Sequence, residues 1–178
     1  GIYFVNSVIV TVACVATTMF TTILAAFAFS RLKFPGRDLL FSLTLSMMMV
    51  PFEMLIITNY STIVKMGLID TLAALIIPFT TSIFYTYILR NFFLSVPDSL
   101  YYSARVDGEG NWTYLWRIMV PIAKPALVTI GLLNAITCWN SFLWSVLVTN
   151  STEVRTLPFG LYAFMTSSGI RYERLMAA

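Results

Sequence analysis

One carboxylate lies alone inside an apolar part of the chain. Glu53 is the single charged residue between Leu39 and Tyr60, and it follows Pro51 by two positions. An ionised side chain is costly within a membrane, so such a residue is a functional candidate in its own right. We expect Glu53 to act either in transport or gating, on a solute path, or in a structural hydrogen bond.

A second candidate group consists of small and polar residues within the apolar run of residues 126–148. On a single helix they fall within an arc of roughly 120°. Its members are Gly131, Asn134, Thr137, Cys138, Ser141 and Ser145. Lipid offers these groups no hydrogen bonds, so the stripe should face protein. It predicts either a solute path lined by Asn134, Thr137 and Ser141, or close packing and hydrogen bonding between helices.

Several kinds of chemistry are excluded by what the sequence lacks. It contains no histidine, and both cysteines, Cys14 and Cys138, lie deep in apolar runs. Histidine-based acid–base catalysis, histidine metal ligation and a disulfide framework are therefore not expected. A Gly-rich phosphate loop ending in Gly-Lys-Ser/Thr is also absent. The sequence predicts a protein that is not an enzyme and holds no metal or cofactor.

The composition is that of a membrane protein. Of 178 residues, 58% are hydrophobic and 11% are charged, and the mean hydropathy is +0.82. Soluble domains carry about 25% charged residues. Uncharged stretches cover residues 1–30, 71–89 and 125–152. Each is long enough for a helix to cross a bilayer, so the partner of these surfaces is lipid. The basic residues flank the apolar runs, which argues against nucleic-acid binding.

These runs predict an all-α, polytopic bundle of transmembrane helices. The predicted spans cover residues 6–29, 39–60, 71–89 and 126–148, and a truncated fifth begins at Leu175. Pro78 should kink the third span, and Gly67 should end a helix. We expect residues 1–178 to form one transmembrane domain, a fragment lacking an upstream span and most of the last one.

The basic residues also predict the orientation of the spans. The loops 31–37 and 90–124 hold seven Lys and Arg residues, and the segments on the opposite side hold four. Positively charged loops stay in the cytoplasm, so both loops should be cytoplasmic and the N-terminus outside.

The longer cytoplasmic loop should contain a short helix along the membrane surface. Pro97 ends the preceding helix, and Asp98 or Ser99 can cap a new one over residues 100–106. Gly108 can take the left-handed conformation that ends it. Such a helix could transmit a movement of a cytosolic partner to the transmembrane helices on either side. The alternative is an ordinary interfacial helix.

This loop resembles the signature of the membrane subunits of ABC-type importers, which reads Glu-Ala-Ala, three residues, Gly, nine residues, Ile-x-Leu-Pro. Tyr102-Ser103-Ala104 stands in the first slot, Gly108 follows after three residues, and Ile118-Met119-Val120-Pro121 follows after nine more. Tyr102 replaces the family's Glu, so an acidic contact at this position is not expected.

Four further segments resemble the carbohydrate-uptake branch of that family, the maltose-type inner-membrane permeases. They are Phe29–Gly36, Gly67–Thr71, Trp139–Trp144 and Thr156–Leu161. The resemblance implies a multi-pass permease of the bacterial inner membrane that imports a sugar or related solute by alternating access. It also implies partner ATP-binding subunits that hold ATP and Mg²⁺, a second permease subunit and an extracytoplasmic solute-binding protein.

The resemblance implies roles for particular residues. The loop helix of the family seats in a groove of the ATP-binding subunit, which assigns this role to Leu100, Tyr101, Tyr102, Ser103, Ala104, Arg105, Asp107, Gly108, Ile118 and Pro121. Small side chains at Ala104 and Gly108 should leave room for the partner surface, with Leu100 and Tyr101 as apolar anchors. The outer turn Leu157, Pro158, Phe159 and Gly160 should contact the solute-binding protein.

Other functions stay open at this point. The same machine could carry a non-sugar solute such as a sugar phosphate or a polyol. A simple channel predicts flux that does not need ATP, and it gives no reason for the spacing of the loop motif. A membrane-embedded enzyme is disfavoured by the missing histidine and the lack of an acid pair.

Overall fold

The computed structural model describes residues 2–167, and of residues 163–167 it describes the backbone alone. Within this part the regular structure is entirely helical, as the apolar runs predict. The truncated fifth span predicted at Leu175 lies outside the described residues. The helices are α1 (Ile2–Arg31), α2 (Arg37–Met47), α3 (Phe52–Lys65), α4 (Leu72–Ile76), α5 (Ile83–Ser95), α6 (Asp98–Val106), α7 (Asn111–Tyr114), α8 (Val120–Ile122), α9 (Lys124–Trp139), α10 (Phe142–Val148) and α11 (Leu157–Ser167).

Helix α1 is the one described helix that is long and apolar enough to cross a membrane alone. Its 30 residues reach about 45 Å at 1.5 Å per residue. They contain the predicted first span whole. Counting each sharply bent pair of helices as one span raises the number of candidate spans in the described residues to as many as four.

The other predicted spans are not straight helices. Helices α2 and α3 meet at 96°, and Pro51 stands in the break between them. Proline has no N–H for the helix ladder and disfavours a helical conformation at the preceding residue. The predicted continuous second span is therefore wrong, and Glu53 lies in the first turn of a new helix. The kink predicted at Pro78 is confirmed, because a 3₁₀ turn over Ile77–Phe79 accompanies a 46° bend between α4 and α5.

The predicted fourth span is also interrupted. Helix α9 ends at Trp139, and α10 begins at Phe142. In the break, the Asn140 side-chain Nδ2 donates to the Ile136 carbonyl at 2.9 Å, and the Phe142 N–H donates to the Asn140 carbonyl at 2.8 Å. An Asn side chain that bonds the backbone competes with the helix ladder, and no proline is needed to stop the helix.

Contacts within the chain group it into two compact units, and α1 and α9 contribute to both. The first unit comprises residues 2–15, 52–80 and 134–167. Its buried core contains Val10, Cys14, Ile63, Ala74, Leu75, Cys138, Trp144 and Val148. The second unit comprises residues 16–51 and 81–133, with a core built around Leu89, Phe93, Tyr114 and Met119.

Candidate functional site

The helix predicted in the long loop is present as α6, and it ends just before Gly108, as predicted. Gly108 has φ 80°, in the left-handed region. Its N–H donates to the Arg105 carbonyl at 3.2 Å, and the Glu109 N–H donates to the Ala104 carbonyl at 2.9 Å. This pair of bonds is a Schellman motif, which satisfies the last carbonyls of the helix.

The start of α6 differs from the prediction. Pro97 occupies the cap position without a side-chain cap bond, so neither Asp98 nor Ser99 is the cap. Asp98 instead forms an ion pair with Arg31 in the same unit. A carboxylate in the first turn still interacts favourably with the helix dipole.

The face of α6 that carries Ala104 packs on the chain itself. Ala104 is 4% exposed and belongs to the core of the second unit. Ala104 therefore packs within this chain, and it also lines a groove beside α6, so the prediction that it leaves room for a partner surface stays a prediction. The outward apolar side chains are Leu100, Tyr102 at 59% exposure and Val106 at 87% exposure. Tyr101 is half-buried, and its ring lies 5.1 Å from the Tyr114 ring, edge to face.

Arg31 fixes the beginning of α6 in place. Its side chain is only 6% exposed. Its Nη2 donates to the carbonyls of Phe93 at 2.7 Å and Val96 at 2.5 Å, and its Nη1 donates to Asp98. One guanidinium thus joins the end of α1 to the end of α5 and the first turn of α6. Five donors in a planar fork suit this arrangement, and a lysine could not reproduce it.

A groove of about 260 Å³ lies beside α6 in the second unit. Its charged lining groups are Asp107, Glu109 and Arg117, and Ser103 and Ile118 complete one side. Arg117 Nη1 lies 3.5 Å from a Glu109 carboxylate oxygen. Five of the predicted docking residues, Leu100, Ser103, Ala104, Asp107 and Ile118, are therefore brought together around one concave surface.

Arg117 and Ile118 of this groove belong to a π-helical turn, Leu115–Met119, just before Pro121. Proline cannot donate in the helix ladder, and a wider turn before it accommodates the missing bond. Pro121 is exposed, and the chain turns by 79° between Ile122 and Lys124. The motif end Ile118–Pro121 therefore lies on a distorted helix leading into α9.

A second groove, of about 450 Å³, lies in the first unit. Glu53, Thr137 and Ser141 all line it, together with Asn140 and apolar neighbours that include Phe52. Three of the four residues predicted on a solute path therefore share one concave surface. Trp144 is buried beneath it, and its indole Nε1–H donates to the Ala74 carbonyl at 2.9 Å.

Asn134, the fourth of these residues, does not line that groove. It is buried, and its Oδ1 accepts a bond from Cys138 Sγ at 3.5 Å. Ser145 is also buried and shares a 2.8 Å hydrogen bond with Thr156. The predicted single stripe is therefore divided, since Thr137 is exposed while Asn134, Cys138 and Ser145 are buried and form hydrogen bonds in the core.

The predicted outer turn 157–160 is the first turn of α11, not a free loop. The Leu157 N–H donates to Ser7 Oγ at 2.8 Å, and Arg155 stacks on the Phe159 ring at 4.3 Å. Gly160 is buried against Tyr3, where an added Cβ would lie 2.6 Å from Tyr3 Cδ2. Of this set, the side chains of Leu157, Pro158 and Phe159 are partly exposed.

Asp70 organises the segment before α11. It has φ 61°, and its Oδ1 accepts bonds from the N–H groups of Asn150 at 2.8 Å and Ser151 at 2.9 Å and from Ser151 Oγ at 3.1 Å. The backbone N–H groups of Ser151 and Asn150 hold the pKa of the Asp70 carboxyl below its ordinary value of 3.8. Asn6 Nδ2 ties the same segment by donating to the carbonyls of Glu153 and Arg155.

The roles of Arg31 and Asp70 do not emerge from the sequence reasoning. Arg31 enters it only as a topology signal, although an Arg at the end of a long apolar run is well placed to bind exposed helix-end carbonyls. Asp70 follows a Gly-ended helix and precedes a Thr cap, a pattern typical of a turn that a carboxylate organises. Spacing cannot identify the partners of either residue, since they lie 62–81 positions away.

Relatives and one solved structure resemble this chain over nearly its whole length. The arabinooligosaccharides transport system permease protein AraQ of Bacillus subtilis is 33% identical over 98% of this chain. The sn-glycerol-3-phosphate transport system permease protein UgpE of Yersinia pestis is 31% identical over 100% of it. A chain in the crystal structure of a bacterial ABC transporter involved in the import of the acidic polysaccharide alginate aligns over 99% of it, at 28% identity and a TM-score of 0.87.

This chain spans 62% of the Bacillus relative, 64% of the Yersinia relative and 62% of the alginate transporter chain. The aligned part of this chain includes the residues that form both grooves, α6 and the segment held by Asp70. The model of the family described as binding-protein-dependent transport system inner membrane component matches residues 7–176. This chain belongs to that family of inner-membrane transport components.

Proposed function

We propose that this chain is the membrane-spanning permease part of an ABC importer for a sugar or a related solute. The support comes from family membership and from relatives named for arabinooligosaccharide and sn-glycerol-3-phosphate transport. The import cycle is alternating access, and ATP and Mg²⁺ are bound by partner ATP-binding subunits. A second permease subunit and a solute-binding protein complete the machine.

The observation that carries this proposal is the construction of α6. Its inner face is packed at Ala104, its first turn is tied down through Arg31, and its apolar side chains Tyr102 and Val106 remain exposed. When a partner protein displaces the exposed face of such a helix, the packed face transmits the displacement to the rest of the chain. Exposed aromatic and aliphatic groups are typical anchors for a partner protein. The adjacent groove, with Asp107 and Arg117, offers a polar rim.

The solute-binding protein contacts the segment that Asp70 and Asn6 hold. Thr152 and Glu153 are exposed there, and Pro158 and Phe159 are partly exposed at the start of α11. The backbone of the segment is fixed by side-chain bonds, so its exposed groups present a defined surface.

The test uses the full-length protein assembled with its ATP-binding subunits and reconstituted in liposomes. Val106→Glu should abolish binding-protein-stimulated ATP hydrolysis and solute uptake together, because a charge would be buried where the surfaces meet. Val106→Ala should retain most of both activities. Lys33→Glu, a charge change on an exposed side chain outside α6, should leave coupling intact.

Normal coupling in Val106→Glu would contradict the docking role of α6. Solute flux that continues without ATP would favour a channel instead. Uptake of glycerol 3-phosphate but not of a neutral oligosaccharide would favour the alternative of an importer for phosphorylated solutes. One of the relatives is named as an sn-glycerol-3-phosphate transport system permease protein.

A further inference from the structure

The groove of the first unit has an unusual charge distribution. Of its nine lining residues, Glu53 is the ionisable one. Among the side chains that the structure describes, none forms an ion pair with the Glu53 carboxylate, and no hydrogen bond engages it. Glu53 is exposed, so its negative charge is presented to whatever enters the groove.

The helix that carries Glu53 does not cancel this charge. Glu53 lies in the first turn of α3, where the helix dipole places the equivalent of about half a positive charge. The full negative charge of a carboxylate exceeds this partial positive charge. A net negative field therefore remains in the groove.

The other polar groups of the groove suit hydroxyl groups. Ser141 is the residue before α10, and its hydroxyl makes no cap bond to that helix. Asn140 uses its Nδ2 on the Ile136 carbonyl, which leaves its amide oxygen as an acceptor. Thr137 is exposed in the same lining. Hydroxyl groups can donate to a carboxylate and to amide oxygens, and they also accept from Ser and Thr.

We propose that this groove receives an uncharged, polyhydroxylated solute and that the Glu53 carboxylate excludes anionic ones. The inference rests on the proposed import function and narrows its solute class. A sugar hydroxyl can donate a charge-assisted hydrogen bond to the Glu53 carboxylate, whereas a phosphate or uronate group meets like-charge repulsion. The chain would then resemble its arabinooligosaccharide relatives in solute charge, and differ from the glycerol-3-phosphate and alginate transporters.

The field of the groove can be measured without knowing the solute. Leu143 lines the groove and is 54% exposed, so a Leu143→Cys reporter in the full-length importer should react with water-soluble thiol reagents. The ratio of the rate of a cationic methanethiosulfonate reagent to that of an anionic one should exceed the ratio for a free thiol by about fivefold at low salt, and the excess should fall at high salt. Cys14 and Cys138 are both buried, and the parent without the reporter gives the background.

Glu53→Gln should bring the ratio of the two rates close to the ratio measured for the free thiol 2-mercaptoethanol, because the attacking thiolate is itself an anion and favours the cationic reagent. The matched control is Glu153→Gln, which removes an exposed carboxylate that does not line the groove and should leave the ratio unchanged. A ratio that Glu53→Gln does not alter would overturn the proposal. So would a reporter that neither reagent reaches, because the groove would then be closed to soluble solutes.

Uptake measurements separate this inference from the proposed function. With ATP and the solute-binding protein, wild type should import a neutral arabino-oligosaccharide, and Glu53→Gln should raise the KM for that solute. If import depends on ATP but Glu53→Gln does not change the ratio of the two reagent rates, the proposed exclusion of anionic solutes by Glu53 is wrong and the proposed import function stands. If the reagent rates show a negative potential in the groove but the protein imports no carbohydrate, the proposed function and the solute class are wrong. The negative potential at Glu53 would then still be an observed property of the groove.

Discussion

Arg31 is buried where the ends of three helices meet. Its guanidinium donates to the Val96 carbonyl and to the Phe93 carbonyl, which also accepts from the Val96 N–H. The Val96 and Phe93 carbonyls belong to the end of α5, where the helix ladder runs out. The ion pair with Asp98 adds less, because the Asp98 side chain is 73% exposed. The Arg31 side chain therefore stabilises the fold mainly through its hydrogen bonds to the two backbone carbonyls.

Arg31→Met should lower the free energy of unfolding of the full-length protein by about 3 kcal/mol, since two buried carbonyls lose charged donors. Asp98→Asn is the matched control and should cost below about 1 kcal/mol, as expected for an exposed ion pair. Thermal unfolding in detergent measures both. Equal losses for the two variants would contradict the carbonyl-binding role of Arg31.

Asp70 gives the stability of its segment a pH dependence of known sign. Its pKa is lowered in the folded protein, because the amides of Ser151 and Asn150 favour the carboxylate. The stabilisation is therefore complete above the ordinary pKa of 3.8 and is lost as the pH falls through the lower, folded pKa. Asn at this position tolerates positive φ but carries no charge.

Wild type should unfold at a higher temperature than Asp70→Asn at pH 7, and the difference should shrink and vanish as the pH is lowered below the ordinary pKa of 3.8. Glu153→Gln serves as the control carboxylate in the same segment. Its side chain is exposed, so its difference from wild type should stay small at every pH. A difference between wild type and Asp70→Asn that is independent of pH would contradict the role of the charge.

Helix ends were more predictable than helix bends at the scale of elements. Gly67 and Gly108 both take positive φ, at 68° and 80°, and both end helices as predicted. Glycine carries this information locally, because few other residues adopt that conformation. The bend at Pro51 and the break at Asn140 were missed, since an apolar run signals burial in lipid and says little about whether the helix within it is continuous.

The contact between α1 and α11 depends on the absence of one side chain. Gly160→Ala should destabilise the protein by about 1–3 kcal/mol, because the new methyl would overlap Tyr3 unless a helix moves. Gly131→Ala is the matched control in α9, where an added Cβ meets nothing within 4 Å. It should be neutral or stabilising by up to about 1 kcal/mol, from helix propensity alone. Thermal unfolding measures both variants. Equal changes in unfolding temperature for Gly160→Ala and Gly131→Ala would contradict the close packing of Gly160 against Tyr3.

For the whole molecule, composition and motif spacing predicted the membrane class, the helical fold and the family. These depend on properties that the chain repeats many times, such as uncharged runs and basic flanks. The candidate sites depend on single long-range contacts. Glu53, Thr137 and Ser141 were named from their chemistry and do share a groove. The burial of Ala104 was missed, because one motif cannot tell which side of a helix packs on its own chain.

The orientation in the membrane follows from the charges and can be tested on the intact cell. The segment between α1 and α2 carries Lys33 and Arg37 and should be cytoplasmic, whereas the segment held by Asp70 should face outward. Pro35→Cys is the better inner reporter, since Gly36 has φ 79° and any side chain there would be strained. Thr152→Cys is the outer reporter, and both positions are exposed.

An impermeant thiol reagent should label Thr152→Cys in intact cells and Pro35→Cys only after the membrane is permeabilised. The buried native cysteines keep the background low. This result would place Thr152 and Glu153 where a solute-binding protein can reach them, and leave the segment between α1 and α2 on the side of the ATP-binding subunits. Labelling of Pro35→Cys in intact cells without labelling of Thr152→Cys would reverse the orientation, and the docking role of α6 would then lack a cytosolic partner.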